Sequence, residues 1–326
     1  MPNQDGDRLQ LLADIAEWYY IEGLSQQEIT KRVNLSRPSI SRLLEEARTL
    51  NLVEIVINRP IPTDHFLEGE LISRFRLRAA HVLNSAAGLR TDTFHQLGRL
   101  GAVALETTIQ DGVVLGLSWG TTVHAVIEAL RPKRLPNVKV VQLLGGVGAP
   151  YRTIDGPEQV RRVGELFGAQ HYYLNAPMLV DNPDVAAALR EDHSIKQVLE
   201  LAQKTDIALV GIGPIIPDLS TQYHSGYVTF DDLIRLEKQG VIGAMCMSYF
   251  DAQGEAVSAP WCDDCSISVS WKDLTRIPTV IGVAGGKRKA PAILGALRSG
   301  IIHILVTDDI AAESILKLDQ EATKGR

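Results

Sequence analysis

From Ala79 onward the chain repeats one texture: a short unbroken apolar run, then a stretch with helical periodicity. Residues 81–83, 113–117, 138–144, 207–212, 242–248, 280–283 and 304–307 are the apolar runs. Between two of them Phe94, Leu97, Leu100, Ala104 and Leu105 mark one face of a helix, and residues 122–130 form another. A strand that is apolar at every position must be covered on both faces, and helical crossovers supply that cover for parallel strands. The rhythm therefore predicts an α/β unit, a doubly wound, Rossmann-like, mainly parallel sheet with helices on both sides. In such sheets ligands sit beyond the carboxyl ends of the strands. No internal repeat or low-complexity segment interrupts the pattern.

The first sixty residues have a different grammar. Residues 8–23 predict a helix with Leu12, Ile15, Ala16 and Tyr19 inward and Gly23 as its stop. Ser25 with Glu28 is a capping box that opens a second helix, whose Ile29 and Val33 lie four apart. Asn34 and Leu35 break that helix, and Ser36 caps a third that tolerates Pro38 in its first turn. Ile40, Leu43 and Leu44 form the inner stripe of the third helix, which leaves Arg37, Ser39, Ser41 and Arg42 outward. An apolar-backed helix that offers short polar groups and guanidinium suits a major groove. The stretch is thus expected to be a helix-turn-helix, residues 1–60 a DNA-binding domain, and residues 61–326 a second domain. Gln26, Gln27, Ser36, Arg37, Ser39, Ser41 and Arg42 are the expected contacts to double-stranded DNA. Residues 53–57 alternate like a strand and would supply a wing. Trp18, Tyr19 and Tyr20 suggest either a stacking platform or, as preferred here, packing.

Charge refines this expectation. Residues 25–48 hold five basic and three acidic side chains, whereas residues 1–60 hold seven basic and nine acidic ones, and the whole chain has a net charge of −6. Any nucleic-acid contact must therefore be local. The amino end lacks a basic and apolar leader, and no run approaches a membrane span, so a cytoplasmic location without membrane contact is expected. Three cysteines make no disulfide framework, and Cys262 with Cys265 is a lone CxxC without a second ligand pair. With eight scattered histidines, neither a metal site nor a cofactor is expected. Pro60 and Pro62 mark the boundary between the two domains, and residues 64–75 predict a helix that either links subunits or docks on the large domain.

Two glycine-bearing loops follow strands. In Gly116-Leu117-Ser118-Trp119-Gly120-Thr121-Thr122, glycines let the backbone approach an anion, hydroxyls donate, and a helix start adds free amides. No lysine closes it as in a Walker loop. It also spells G-x-S-x-G, the nucleophile elbow of a hydrolase, for which Asp251 and His303 stand in the right order. His303, however, lies in a strand-like run. The second loop, residues 282–289, joins Gly285 and Gly286 to Lys287, Arg288 and Lys289. Lys289, beside the helix start, is expected to point inward and the other two cations to face solvent. Asp251 is either a hydroxyl-binding acid or a turn former. Gly145-Gly146 and Ser225-Gly226-Tyr227 are weaker candidates for pocket edges.

A helix-turn-helix followed in order by GLSWGTT, QLLGG, YFDAQGE and GVAGGKRKAPAI resembles the SorC family of sugar-sensing bacterial transcriptional regulators, over roughly residues 10 to 316. The resemblance implies an effector domain similar to the sugar-phosphate isomerase fold, a phosphorylated sugar effector, operator DNA as partner, and a homo-oligomer, dimer or tetramer. Carried over by position, Gly116, Ser118, Gly120, Thr121 and Thr122 would hold phosphate together with Gly285, Gly286 and Lys289. Asp251 would bind effector hydroxyls. Some members capture an aldehyde through a lysine near the QLLGG strand, but residues 140–144 here contain none. The segments EWYYIEGLSQQEI and VAGG-K-A also look like the branch that senses a phosphorylated quorum signal. An isomerase-like enzyme is the competing reading, and it would need a base beside the substrate carbons.

Overall fold

In a computed structural model, residues 4–53, 60–85, 93–148 and 154–324 are described. The chain divides into two compact units, Met1–Pro60 and Ile61–Arg326. The strand expected at 53–57 lies almost wholly outside the described residues.

The first unit packs α1 (Gln4–Tyr20), α2 (Gln26–Val33) and α3 (Arg37–Thr49) around Leu12, Ile15, Ile29, Ile40, Leu44 and Ala47. Both inter-helix junctions are built from side chains already legible in the sequence. Ser25 Oγ accepts from the Glu28 amide at 3.3 Å, and Glu28 Oε2 accepts from the Ser25 amide at 2.9 Å. Asn34 takes a left-handed conformation, φ +51°, and ends α2; Ser36 then accepts from the Ser39 amide and starts α3. Trp18, Tyr19 and Tyr20 are half-buried against this core. The helix expected at 8–23 runs from Gln4 to Tyr20, and Gly23, at φ +72°, lies three residues beyond its end.

The second unit opens with α4 (His65–Phe75) and β1 (Ala79–Leu83), then α5 (Thr93–Thr108), β2 (Val114–Leu117), α6 (Thr121–Ala129) and β3 (Lys139–Gln142). Next come α7 (Gly156–Phe167), β4 (Gln170–Tyr172), α8 (Pro183–Glu191), α9 (His193–Ala202), β5 (Ile207–Gly211) and β6 (Gly213–Pro214). They are followed by α10 (Thr221–His224), α11 (Phe230–Lys238), β7 (Val241–Met245), β8 (Ser248–Asp251) and β9 (Ala256–Val257). The chain closes with α12 (Pro260–Asp263), α13 (Trp271–Leu274), β10 (Thr279–Val283), α14 (Ala290–Arg298), β11 (Ile304–Asp308) and α15 (Asp309–Lys324).

Seven parallel strands form the main sheet in the order β1-β11-β10-β5-β2-β3-β4. Alternate residues feed opposite layers. Ile207, Leu209, Ile281, Val283, Ile304 and Val306 pack on one face with Leu97, Leu105, Val123, Val126, Val160 and Phe167 of α5, α6 and α7. Ala208, Val210, Val280 and Leu305 pack on the other with Leu71 of α4, Leu233 of α11, Ile293 of α14 and Ile315 of α15. Phe94 does not join the first layer, being 39% exposed at the start of α5.

The run at 242–248 is not a strand of this sheet. It breaks at Cys246 and Met247, at φ +47° and +65°, into the hairpin β7–β8 of a separate antiparallel sheet ordered β6-β7-β8-β9. Periodicity missed the turn because both turn residues are buried and apolar and neither is glycine. It also missed β4, whose Gln-His-Tyr sequence carries no apolar run.

Candidate functional site

The strand order reverses direction between β2 and β5. From β2 the chain winds outward through β3 to β4, and from β5 it winds the other way to β10 and β11. A cleft opens there beyond the carboxyl ends, as expected of such a switch point. It is lined by Ser118, Gly120, Thr121, Thr122 and Lys289, with Trp119, Leu144 and residues 211–214 around them. Residues 219–222, Ala244, Cys246 and Met247 form its other wall.

Ser118 follows β2 directly, and its amide donates to Leu209 O at 3.0 Å. Its hydroxyl oxygen accepts from the Gly211 amide at 3.3 Å, so this buried side chain ties β2 to β5 under the cleft. Gly120, at φ +130°, turns the chain into α6 without a capping side chain. The amides of Thr121, Thr122 and Val123 therefore have no hydrogen-bond partner among the described residues. Those free donors, with the partial positive charge of a helix start, can receive an anion.

Across the cleft, Lys289 is half-buried and has no ion-pair partner among the described residues. Burial pulls its ammonium below the usual lysine range, with the charge of Asp308 acting in the opposite direction. Lys287 faces solvent, and Arg288 pairs with Asp218 at 2.5 and 2.8 Å. That pair links the lysine-bearing turn to the segment that carries Leu219, Ser220, Thr221 and Gln222 along the opposite wall. Gln222 is itself fixed, donating to Met247 Sδ at 3.1 Å and accepting from Tyr249 OH at 3.1 Å. No carboxylate and no histidine line the cleft among the described residues.

Several expected site residues lie elsewhere. Asp251 ends β8, and its Oδ1 accepts from the Gln253 and Glu255 amides at 2.9 Å each. It is the turn former, away from the cleft lining. Gly116 is inside β2, where a Cβ would strike Leu143 and Thr205, so its lack of a side chain serves packing. Gly285 and Gly286 do not line the cleft; the Gly286 amide donates to Asp308 Oδ2 at 2.6 Å. Gly145 abuts Pro177, and the Tyr227 hydroxyl donates to Val147 O at 3.2 Å; neither residue lines the cleft. Gln142, in β3, is fully buried, and its side-chain amide donates to Leu144 O at 2.6 Å. Residues 211–214 were findable by their place at the end of a strand, whereas Gln222 carried no sequence signal and Cys246 and Met247 read only as part of a strand.

The hydrolase constellation is not assembled. His303 stands before β11, accepting the Val280 amide through Nδ1 at 3.1 Å, at the opposite end of the parallel sheet from Ser118. The three cysteines are buried and free, and Cys246 and Cys262 are both pushed up to about 12 by desolvation. No helix of the described residues is long and apolar enough to cross a membrane.

In the first unit, α3 exposes Arg37, Ser41 and Arg42. Ser36 and Ser39 are partly engaged with each other, their hydroxyls 2.8 Å apart in the cap. Gln27 is exposed and Gln26 half-buried at the start of α2.

Residues 60–317 match the family model described as "Putative sugar-binding domain". The chain is 33% identical over 312 residues to the deoxyribonucleoside regulator of Bacillus subtilis (strain 168), covering 96% of this chain and 99% of that protein. It is 32% identical over 312 residues to the transcriptional regulator LsrR of Enterobacter sp. (strain 638), covering 95% and 93% of the two chains. The crystal structure of the full-length sorbitol operon regulator SorC from Klebsiella pneumoniae superposes with a TM-score of 0.71 at 28% identity, over 95% of this chain and 99% of that one. These relatives are named regulators, not enzymes. With the sugar-binding region and both whole-length relatives in agreement, the chain belongs to the SorC family of transcriptional regulators.

Proposed function

We propose that this regulator binds double-stranded operator DNA through Met1–Pro60 and that a phosphorylated sugar, or a sugar-like phosphate, held in the second unit controls that binding. One observation carries the effector reading: the uncapped amides of α6 and the ammonium of Lys289, which has no ion-pair partner among the described residues, face the same cleft. A phosphate dianion would be met by backbone donors, the Thr121 and Thr122 hydroxyls and a cation, with no carboxylate among the described lining residues to repel it. We take the parallel-sheet unit to be an isomerase-type frame that binds sugar phosphate but lacks the base that turnover needs. Arg37, Ser41 and Arg42 of α3 would enter the major groove, with Gln27 toward the backbone. Ser36 and Ser39 would shape the helix start. Paired half-sites would follow from a homodimer or a tetramer of dimers. The effector shifts the balance between DNA-competent and DNA-released states only by its differential affinity for them.

The test is a thermal-shift screen of sugar phosphates, each beside its unphosphorylated parent. Stabilisation by the phosphorylated member alone is expected, about 2.7 kcal/mol at a hundredfold excess over Kd. Equal response to both members of every pair would defeat the reading. Turnover of any of the phosphates would favour an enzyme instead.

A further inference from the structure

The second glycine-bearing loop is already occupied by an anion, and that anion is the protein's own. Asp308 ends β11 and is 4% exposed. Its Oδ2 accepts from the Gly286 amide at 2.6 Å, and its Oδ1 accepts from the Ala311 amide at 2.7 Å in the first turn of α15. The loop lies so close that a Cβ at Gly285 would fall 2.2 Å from Oδ2. The amide that the sequence offered to an incoming phosphate is thus spent on a carboxylate from a neighbouring strand. The next turn follows from this clamp: the Lys289 amide donates to Gly286 O at 3.0 Å, so the backbone that carries Lys289 hangs from the residue Asp308 holds.

We propose that Asp308 is a positioning residue for the cleft: by holding Gly286 it presents Lys289, and its buried negative charge is the counter-charge of that ammonium. This rests on the reading that the cleft takes phosphate. Nearby charges do not substitute for it. Lys287 is exposed, Arg288 is paired with Asp218, and Asp309 accepts from the Ser85 amide and hydroxyl at 3.0 and 2.6 Å. Burial raises the Asp308 carboxyl first of all; bonds from Ala311 and Gly286 lower it, Asp309 raises it, and Lys289 lowers it. For Lys289 the order is burial downward, then Asp308 upward. Removing the carboxylate charge therefore moves the loss of the lysine proton to lower pH.

The experiment is calorimetric titration of the full chain with inorganic phosphate from about pH 8 to about pH 10, a range in which an ordinary lysine stays mostly protonated. Wild type is expected to bind phosphate more weakly as pH rises. In Asp308→Asn the weakening should begin at lower pH, giving about a tenfold deficit for each unit by which the lysine is displaced. Lys289→Arg, whose guanidinium keeps its proton throughout, should flatten the profile alone and in combination with Asp308→Asn. An Asp308→Asn profile that parallels wild type, lower but unshifted, would leave Asp308 only its hold on Gly286 and overturn the proposal that its charge sustains the ammonium. So would a Lys289→Arg profile that falls like wild type, and that arm does not depend on Asp308→Asn folding. Wild type that ignores phosphate at every pH would overturn the effector reading itself, whereas binding with an unshifted variant profile overturns only this inference.

Discussion

Lys289 and Ser118 reach the cleft from strands on opposite sides of the switch point, yet they differ in what they have left to offer. Ser118 is committed: its oxygen holds the Gly211 amide and ties β2 to β5. Lys289 has three donors and no ion-pair partner among the described residues. Lys289→Ala should therefore weaken phosphate ester binding by about 1.5–3 kcal/mol, the worth of a bond to a charged group. Operator binding without effector should stay unchanged. A gel-shift titration of operator binding with and without effector checks both halves, and a response at wild-type effector concentration would remove Lys289 from the site. Gly285 tells a different story. Its Cβ space is filled by Asp308 Oδ2, so Gly285→Ala should destabilise the second unit by about 1–3 kcal/mol, read as a lower urea midpoint. The sequence presents Gly285 as an open anion seat, but only the distant Asp308 makes it a filled one.

Elements were legible where their ends are written in neighbouring residues. The Ser25–Glu28 box and the Ser36 cap place α2 and α3 within a few residues, because capping partners lie only three positions apart. The exposed face of α3 follows from the same periodicity, and Arg42→Ala should weaken specific operator binding by about 1–3 kcal/mol if the guanidinium reads a base. Fluorescence anisotropy on operator and scrambled duplexes checks it; equal loss on both would make Arg42 a phosphate contact. Contacts among elements were not legible. Asp319 of α15 accepts from Arg74 of α4 at 2.6 Å and from Arg298 of α14 at 2.6 and 3.2 Å. Burial raises its carboxyl, but the bonds and charges of Arg298 and Arg74 outweigh that and hold it below the usual range. The stability it contributes is therefore present above the unfolded pKa of about 4 and is lost as pH falls through its lower folded value. Asp319→Asn should cost about 1.5–3 kcal/mol at neutral pH and progressively less in acid. Urea unfolding at the two pH values measures the difference, and an equal cost in both would show that charge is not the cause.

For the whole molecule, the sequence by itself determined the layered parallel-sheet architecture and the family. Apolar runs that must be covered on both faces leave a doubly wound sheet as the outcome, and the ordered motifs identify its relatives. The sequence marks a boundary at Pro60 and Pro62 by its prolines, ahead of the change of texture at Ala79. Only the tertiary structure decided which of the marked residues share the cleft. Asp251 stayed in its hairpin because the apolar run before it turns at Cys246 and Met247 into a second sheet. Gly285 and Gly286 closed on Asp308, and residues 219–222 came to wall the site from a segment with no motif at all. Strand and cap rules act between residues a few positions apart, so a sequence states them openly. The cleft is made by chain crossings tens to hundreds of positions long, whose partners are chosen by the packing of the whole sheet.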